Sequence, residues 1–478
     1  MTAELGTGSP VSDLNLIEEW DTDLSSADPL GFPGYQPPKP DDESVRTGVA
    51  KLGDTQIAVI ECRFDRHGGT MGAVTGERIV RAFGRAADQR LPLAAVVASG
   101  GARLQEGMVS LIQMARTTTA VSEFARAGLL WAAVYTPHTT GGVYSSWASL
   151  ADIRGAQPGS TIGFGGPRVV AEVTGSFPPA DSHTAESAYT HGLVDALVTP
   201  EQQLGWFAAA LTPGAAEPLA LPGGRPRRPG PAIASTNAWE VLQTVRSQFR
   251  PSGLEWAAWL TDGWVELRGS DPTIRAGLST IGGLRVMVVA MDRHAYGDAA
   301  ARQSPAAFRL AQRAIRLASR LSIPVLTLID TPGAEPGPAA EADGIAGEIA
   351  RTLLSMAELE APSVALCVGE GGSGGAMALA HADRFMLLSG SVFSVIGPQA
   401  GAAILYRDSG RAAELAEALR ILPIDLVNLR VADSIIDEDH TDAIRQVREA
   451  VVAALTTAEI GYRNTRASAA TRRALNTP

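Results

Sequence analysis

Three glycine landmarks recur along the chain at one offset. Gly101, Gly142 and Gly166 are followed by Gly333, Gly374 and Gly397, displaced by 232, 232 and 231 positions. Within each copy the first two glycines stand 41 residues apart. Any single pairing means little in a chain with 50 glycines. Three in order, flanked by matching apolar runs, imply two copies of one structural unit. In the first copy "LPLAAVVA" (91–98) meets "SGGARLQEG", and "LLWAAVY" leads through "TTGGVYSSWASLA" to "IGFGGPR". In the second, "IPVLTLI" (323–329) meets "DTPGAEPG", and "SVALCVG" leads through "EGGSGGAMALA" to "FSVIGPQ". Strand, glycine turn and helix alternate in both, which predicts an α/β fold in two tandem domains.

The intervening stretches set the boundaries. Residues 1–48 are rich in Pro, Asp, Ser and Gly and read as a flexible arm, with a short helix near "LNLIEEW". Residues 214–235, which include "RPRRPGP", read as a linker, and 464–478 as a fraying tail. The two bodies then span 49–213 and 236–463. After Arg103 the apolar residues Leu104, Met108, Leu111, Ile112 and Ala115 follow helical spacing and are expected in the core.

Composition removes several classes of function. A net charge of −11 argues against nucleic acid as the main partner. No apolar run reaches the length of a membrane helix. The acidic N-terminus does not read as a secretory signal, so the cytoplasm is the expected compartment. The two cysteines, Cys62 and Cys367, lie far apart in apolar runs and predict neither a metal site nor a disulfide framework. Lysine occurs only at Lys39 and Lys51, in a Pro-rich tail and at a strand start. Schiff-base, Walker-type and self-biotinylated chemistries therefore lack their residue.

The glycine turns allow three readings. As a nucleotide loop, "GEGGSGG" lacks Gly-Lys-Ser/Thr, and its fit to G-x-G-x-x-G does not sit in the first βαβ of its half. As packing devices, the glycines would let helix and sheet approach closely. As oxyanion holes, backbone N–H groups from two turns would converge on one oxygen. The candidate pairs are Gly100 and Gly101 with Gly141 and Gly142, and Gly333 and Ala334 with Gly374 and Gly375. Two holes suit a reaction in which two carbonyl oxygens gain charge.

"GGTMGAVTGERIVRA", "ASGGARLQEGMVSLIQMART", "TTGGVYSSWASLADI", "GSTIGFGGPRVV" and "HGLVDALV" resemble the β subunit of bacterial acetyl-CoA carboxylase carboxyltransferase. "AWEVLQTVRSQFRP", "WVELRGSD", "RLASRLSIPVLTLIDTPGAEPG", "VGEGGSGGAMALA" and "FSVIGPQAGAAILYRD" resemble its α subunit. The chain thus looks like a fusion of the two, β then α. The resemblance implies tandem crotonase-like β-β-α superhelix domains, with acyl-CoA on the β-like half and carboxybiotin on the α-like half. It implies carboxyl transfer to acetyl-CoA or a related acyl-CoA, giving malonyl-CoA; the expectation of no bound metal comes from the two isolated cysteines. Biotin would arrive on a separate biotin carboxyl carrier protein charged by a biotin carboxylase. A homodimer or higher homo-oligomer is implied, each site joining a β-like to an α-like half. A malonyl-thioester decarboxylase or transcarboxylase of the same superfamily, and a non-catalytic scaffold subunit, remain as alternatives.

Several positions depart from the family pattern. The four-cysteine zinc ribbon is not in this sequence. "YGDAAARQS" (296–304) replaces a lysine-bearing stretch, which predicts weaker CoA or carrier contacts, and Gln399 replaces an acid. Arg103, and Arg168 after Gly165 and Gly166, are candidates for pairing with CoA phosphates. His138 is a candidate substrate contact beside a glycine turn. Glu106 and Glu370 lie near the turns and are expected to be structural.

Overall fold

The computed structural model describes residues 14–28, 30–222, 235–297, 300–438 and 442–474. The chain divides into two units, Met1–Ala215 and Ala216–Pro478. Most of the expected 214–235 linker lies outside the described residues.

The first unit is built on β1 (Glu18–Trp20), β2 (Val45–Leu52), β3 (Thr55–Cys62), β4 (Leu93–Ser99), β5 (Trp131–Thr140), β6 (Ile153–Ala156), β7 (Ile162–Gly163) and β8 (Ala196–Leu197). They form one sheet in the order β1-β2-β3-β4-β5-β6-β8, with β7 added to β5. The first three strands pair antiparallel and the rest parallel. The second unit has β9 (Gly263–Leu267), β10 (Ile274–Ile281), β11 (Leu284–Met291), β12 (Val325–Thr331), β13 (Ser363–Gly372), β14 (Arg384–Leu388), β15 (Val392–Ser394) and β16 (Ser434–Ile436). Their order, β9-β10-β11-β12-β13-β14-β16 with β15 on β13, repeats the first unit strand for strand.

The repetition extends to an irregularity. Val97 pairs with Tyr135 but Ser99 with Thr139, so β5 carries two extra residues there. Ile329 pairs with Cys367 but Thr331 with Gly371, the same slip in β13. Each bulge ends its strand where the second glycine turn begins, and so aims that turn. Strands buried on both faces read as unbroken apolar runs, as parallel strands under helices do. Phe83, Trp131 and Trp147 form an aromatic cluster in the first core.

Three expectations are corrected. Residues 14–48 are not a free arm. β1 takes the place of the expected helix, Leu14 and Trp20 are buried, and Asp21 pairs with Arg81 and Arg85. The tail is helical over Tyr462–Ala474, because Arg463 pairs with buried Asp383 and Arg466 with Asp433. The stripe after Arg103 faces outward: Leu104 is 82% exposed, Met108 72% and Ile112 56%. The Gly107–Arg126 helix instead packs its Ser110, Gln113 and Thr117 face inward, and Gln113 fills the space beside Gly76 of the Ala73–Asp88 helix. Periodicity identified the helix, but small polar residues allowed the closer approach. Among the described residues no helix is long and apolar enough to cross a membrane.

Candidate active site

In each unit the two glycine turns meet. A Cβ on Gly141 would stand 2.9 Å from the Cα of Gly101, and one on Gly101 would stand 3.4 Å from the nitrogen of Gly142. In the second unit a Cβ on Gly372 would lie 2.7 Å from the nitrogen of Gly333, and one on Gly375 2.8 Å from that of Ala334. Side chains at these places would push the turns apart, so glycine is required by contact as well as by the φ of +108° at Gly101 and +126° at Gly333.

Several expected donors are already used. Gly100 N–H donates to Gly68 O at 2.9 Å and Gly141 N–H to Phe164 O at 3.0 Å. Gly101 N–H donates to Ser99 Oγ, and Gly333 N–H to Thr331 Oγ1, both at 3.0 Å. The hydroxyl at each strand end thus folds back to hold the first turn. The next N–H groups, of Ala102 and Gly142 in one unit and of Ala334 and Gly374 in the other, have no acceptor among the described residues. Gly142 and Gly374 lie in first helical turns, where no intrahelical acceptor exists. The two pairs are related by the 232-residue offset, which is the signal that would have added Ala102 to the sequence candidates. In the first unit the following helix, Gly141–Tyr144, has only four residues, so the Ala102 and Gly142 N–H groups, rather than a helix dipole, are what the two turns present.

The Ala334 and Gly374 pair lies in the wall of a cavity of about 690 Å³ whose lining also includes Gly333, Gly375, Arg246, Arg302 and Gln399. Behind it the buried Asp330 accepts the Glu370 N–H at 3.0 Å and so anchors the β13 bulge. Burial pushes the Asp330 carboxyl up to about 6, against the pull of Arg293. Arg246, at the end of the Ala238–Val245 helix, grips Glu370 through two hydrogen bonds of 2.6 and 2.8 Å and donates to Gln399 Oε1 at 3.1 Å. Glu370 is thereby a partner for Arg246, as its expected structural role requires. Arg246 lies within "AWEVLQTVRSQFRP" but is not among the residues the sequence singles out as a site.

The charged candidates of the first unit separate. Arg103 is buried between Glu43 and Glu106, so it does not reach out to a phosphate. Burial alone would lower its pKa, but the hydrogen bond and charge of Glu43 raise it. Glu106 also accepts from Ala73 N–H at 2.6 Å and the Tyr35 hydroxyl at 2.9 Å, a structural post as expected. Burial, helped by the bond to Glu106, pushes the Tyr35 hydroxyl up to about 12. Arg168 is exposed, in the helix Pro167–Thr174 that Gly166 caps; Gly165 follows Phe164, the acceptor for Gly141. His138 sits on the β5 bulge at φ +68°, exposed, its ring 5.1 Å from that of Phe64.

Residues 231–472 match the family model described as acetyl co-enzyme A carboxylase carboxyltransferase-like, and residues 35–203 match that of the carboxyl transferase domain. The chain is 40% identical over 440 residues to the acetyl-coenzyme A carboxylase carboxyl transferase subunits beta/alpha of Salinispora arenicola, covering 86% of this chain and 78% of that protein. It is 36% identical over 402 residues to a probable biotin-dependent acyl-coenzyme A carboxylase beta3 subunit of Mycobacterium tuberculosis, covering 83% and 80%. Its fold matches that of the transcarboxylase 12S hexamer with methylmalonyl-coenzyme A bound. The TM-score is 0.73 at 18% identity, over 93% of this chain and 88% of that one.

Proposed function

The chain belongs to the acetyl-CoA carboxylase carboxyltransferase family and moves CO2 between biotin and an acyl-CoA; from that premise we propose how its two halves divide the reaction. The Ala102 and Gly142 N–H groups hold the thioester oxygen of the acyl-CoA. As the α-proton leaves, charge builds on that oxygen, and fixed donors stabilise it without reorganising. The enolate carbon then forms the new C–C bond. With acetyl-CoA the product is malonyl-CoA. The Ala334 and Gly374 N–H groups hold the ureido oxygen of biotin. Carboxybiotin would supply the CO2: as its N–CO2 bond breaks, charge would gather on that oxygen, and the freed ureide nitrogen would take up the α-proton. The cavity has room beside this pair, since a Cβ on Gly374 would meet only Ile349, at 4.0 Å.

Neither step asks for a side-chain nucleophile. The single observation that carries the reading is the repeated pair of unspent N–H groups, one pair per unit. Arg168 remains the candidate for CoA phosphates, because it is exposed. Biotin comes on a carrier protein charged by a biotin carboxylase, since the only lysines are Lys39 and Lys51. A second copy of the chain completes each site, and the outward-facing Leu104, Met108, Leu111 and Ile112 support such an assembly.

Hydrogen exchange followed by mass spectrometry tests the division. Acetyl-CoA is expected to protect peptides around 100–103 and 141–144, and biotin methyl ester those around 332–335 and 372–376. The reverse pattern, or protection of one set by both ligands, would overturn it.

A further inference from the structure

We propose that Arg302, with Gln399 as its neutral neighbour, makes the second unit's cavity selective for the carboxylated form of the ureide over the bare one. The inference rests on the assignment of that cavity to biotin and adds what distinguishes the loaded from the unloaded group.

Two cations, Arg246 and Arg302, line the cavity, and among the described residues no carboxylate does. Their situations differ. Arg246 is matched by the carboxylate of Glu370. Arg302 is exposed and has no carboxylate partner among the described residues. Its Nη1 makes one long contact, 3.4 Å, to Pro332 O. The same nitrogen lies 3.3 Å from where a Cβ on Gly333 would stand, so the guanidinium rests on the turn that presents the Ala334 N–H. Glu335, the next acid along, is turned onto the Gly337 N–H at 2.9 Å.

Gln399 preserves this imbalance. Its Oε1 accepts from Arg246 Nη1, and because a guanidinium only donates, the amide must face it oxygen-first. A carboxylate in the same place would add a second negative charge beside Glu370 and cancel the cavity's surplus. With glutamine, one positive charge stays unmatched, next to two N–H donors aimed at a carbonyl oxygen. A bare ureide offers only the oxygen. A carboxylated ureide offers the oxygen and, on the adjacent nitrogen, a carboxylate for Arg302. A charge-assisted hydrogen bond of this kind exceeds a neutral one about twofold in strength.

Calorimetric titration of the protein tests this with two probes, biotin methyl ester and its stable N-oxalyl derivative, which places a carboxylate one carbonyl away from the ureide nitrogen. Wild type is expected to bind the anionic probe about tenfold tighter or more, the ratio that one charge-assisted hydrogen bond supports. Arg302→Ala should abolish that preference and leave the affinity for the neutral probe unchanged. Arg302→Lys should keep part of the preference, and Gln399→Glu should shrink it. Because Arg302 is exposed, the alanine variant should melt with wild type. Equal binding of both probes by wild type, or a preference that survives Arg302→Ala, overturns the inference alone. Binding of neither probe removes the biotin assignment and the inference together.

Discussion

Gly375→Ala isolates one donor of the proposed biotin hole. The new Cβ would stand 2.8 Å from the nitrogen of Ala334. That is the distance at which an acceptor oxygen sits on an N–H group. The methyl would therefore crowd the Ala334 N–H and displace the turn that presents it. Gly375 is buried in the Ser373–Ala380 helix and has no positive φ, so alanine strains no dihedral there and acts by pressing the two turns apart. Alanine should gain up to about 1 kcal/mol of helix propensity, offset by about 1–3 kcal/mol of overpacking against Ala334. Losing one oxyanion donor should cost roughly 10²–10³-fold in kcat. The assay is biotin-dependent carboxyl transfer from malonyl-CoA, with acetyl-CoA affinity measured in parallel. The rate should fall by that factor while acetyl-CoA binding is unchanged. A rate near that of wild type would refute the hole, and a loss of acetyl-CoA binding would refute the division between units. Gly101 allows no equally clean test, because its φ of +108° makes any side chain strain the turn.

Other outcomes follow from the same geometry. Arg103→Ala strands Glu43 and Glu106 as buried carboxylates and should cost about 3–5 kcal/mol, read as a lower melting temperature. Burial alone would raise the Glu43 carboxyl, but Arg103 holds it below its ordinary value of 4.5. A depressed carboxyl contributes stability that is present above its unfolded pKa and is lost as pH falls through the folded one. Wild type should therefore lose this contribution only as pH falls below the ordinary carboxylate range, whereas in the variant the buried, unpaired Glu43 is relieved by protonation, so the destabilisation should shrink as pH falls; identical melting profiles against pH would contradict the pairing. Ile112→Asp puts a charge on the outward apolar stripe and should shift gel-filtration elution toward the monomer without unfolding the chain. Arg168→Ala should raise the KM for acyl-CoA several-fold with little change in kcat, and the difference should shrink at high salt, as expected for an exposed phosphate contact.

What was legible in the sequence was what glycine alone can do. The paired turns need bare backbone twice per unit, so the 41-residue spacing and the 232-residue offset announced the duplication and the place where the turns meet. The donors themselves carry no residue signature. Ala102 was missed because an N–H belongs to every residue, and what frees it is Ser99 Oγ taking the Gly101 N–H instead. Arg103 looked like a phosphate ligand because its partner Glu43 lies sixty residues away in a stretch that reads as a mobile arm. The Tyr462–Ala474 helix read as a frayed tail for the same reason, since its polar residues are held by Asp383 and Asp433. The stripe from Leu104 to Ile112 shows that periodicity identifies a helix without saying which face is covered. Arg246 and Arg302 depend on a cavity assembled from six separate segments, which no local pattern records.

The central claim is carboxyl transfer between a CoA thioester and biotin, and the reverse reaction tests it most directly. Purified protein is incubated with malonyl-CoA, with and without biotin methyl ester, and acetyl-CoA is followed by mass. The account predicts acetyl-CoA only when biotin methyl ester is present. Acetyl-CoA formed equally without it would mark a malonyl-thioester decarboxylase, and no product in either reaction would contradict the assigned chemistry.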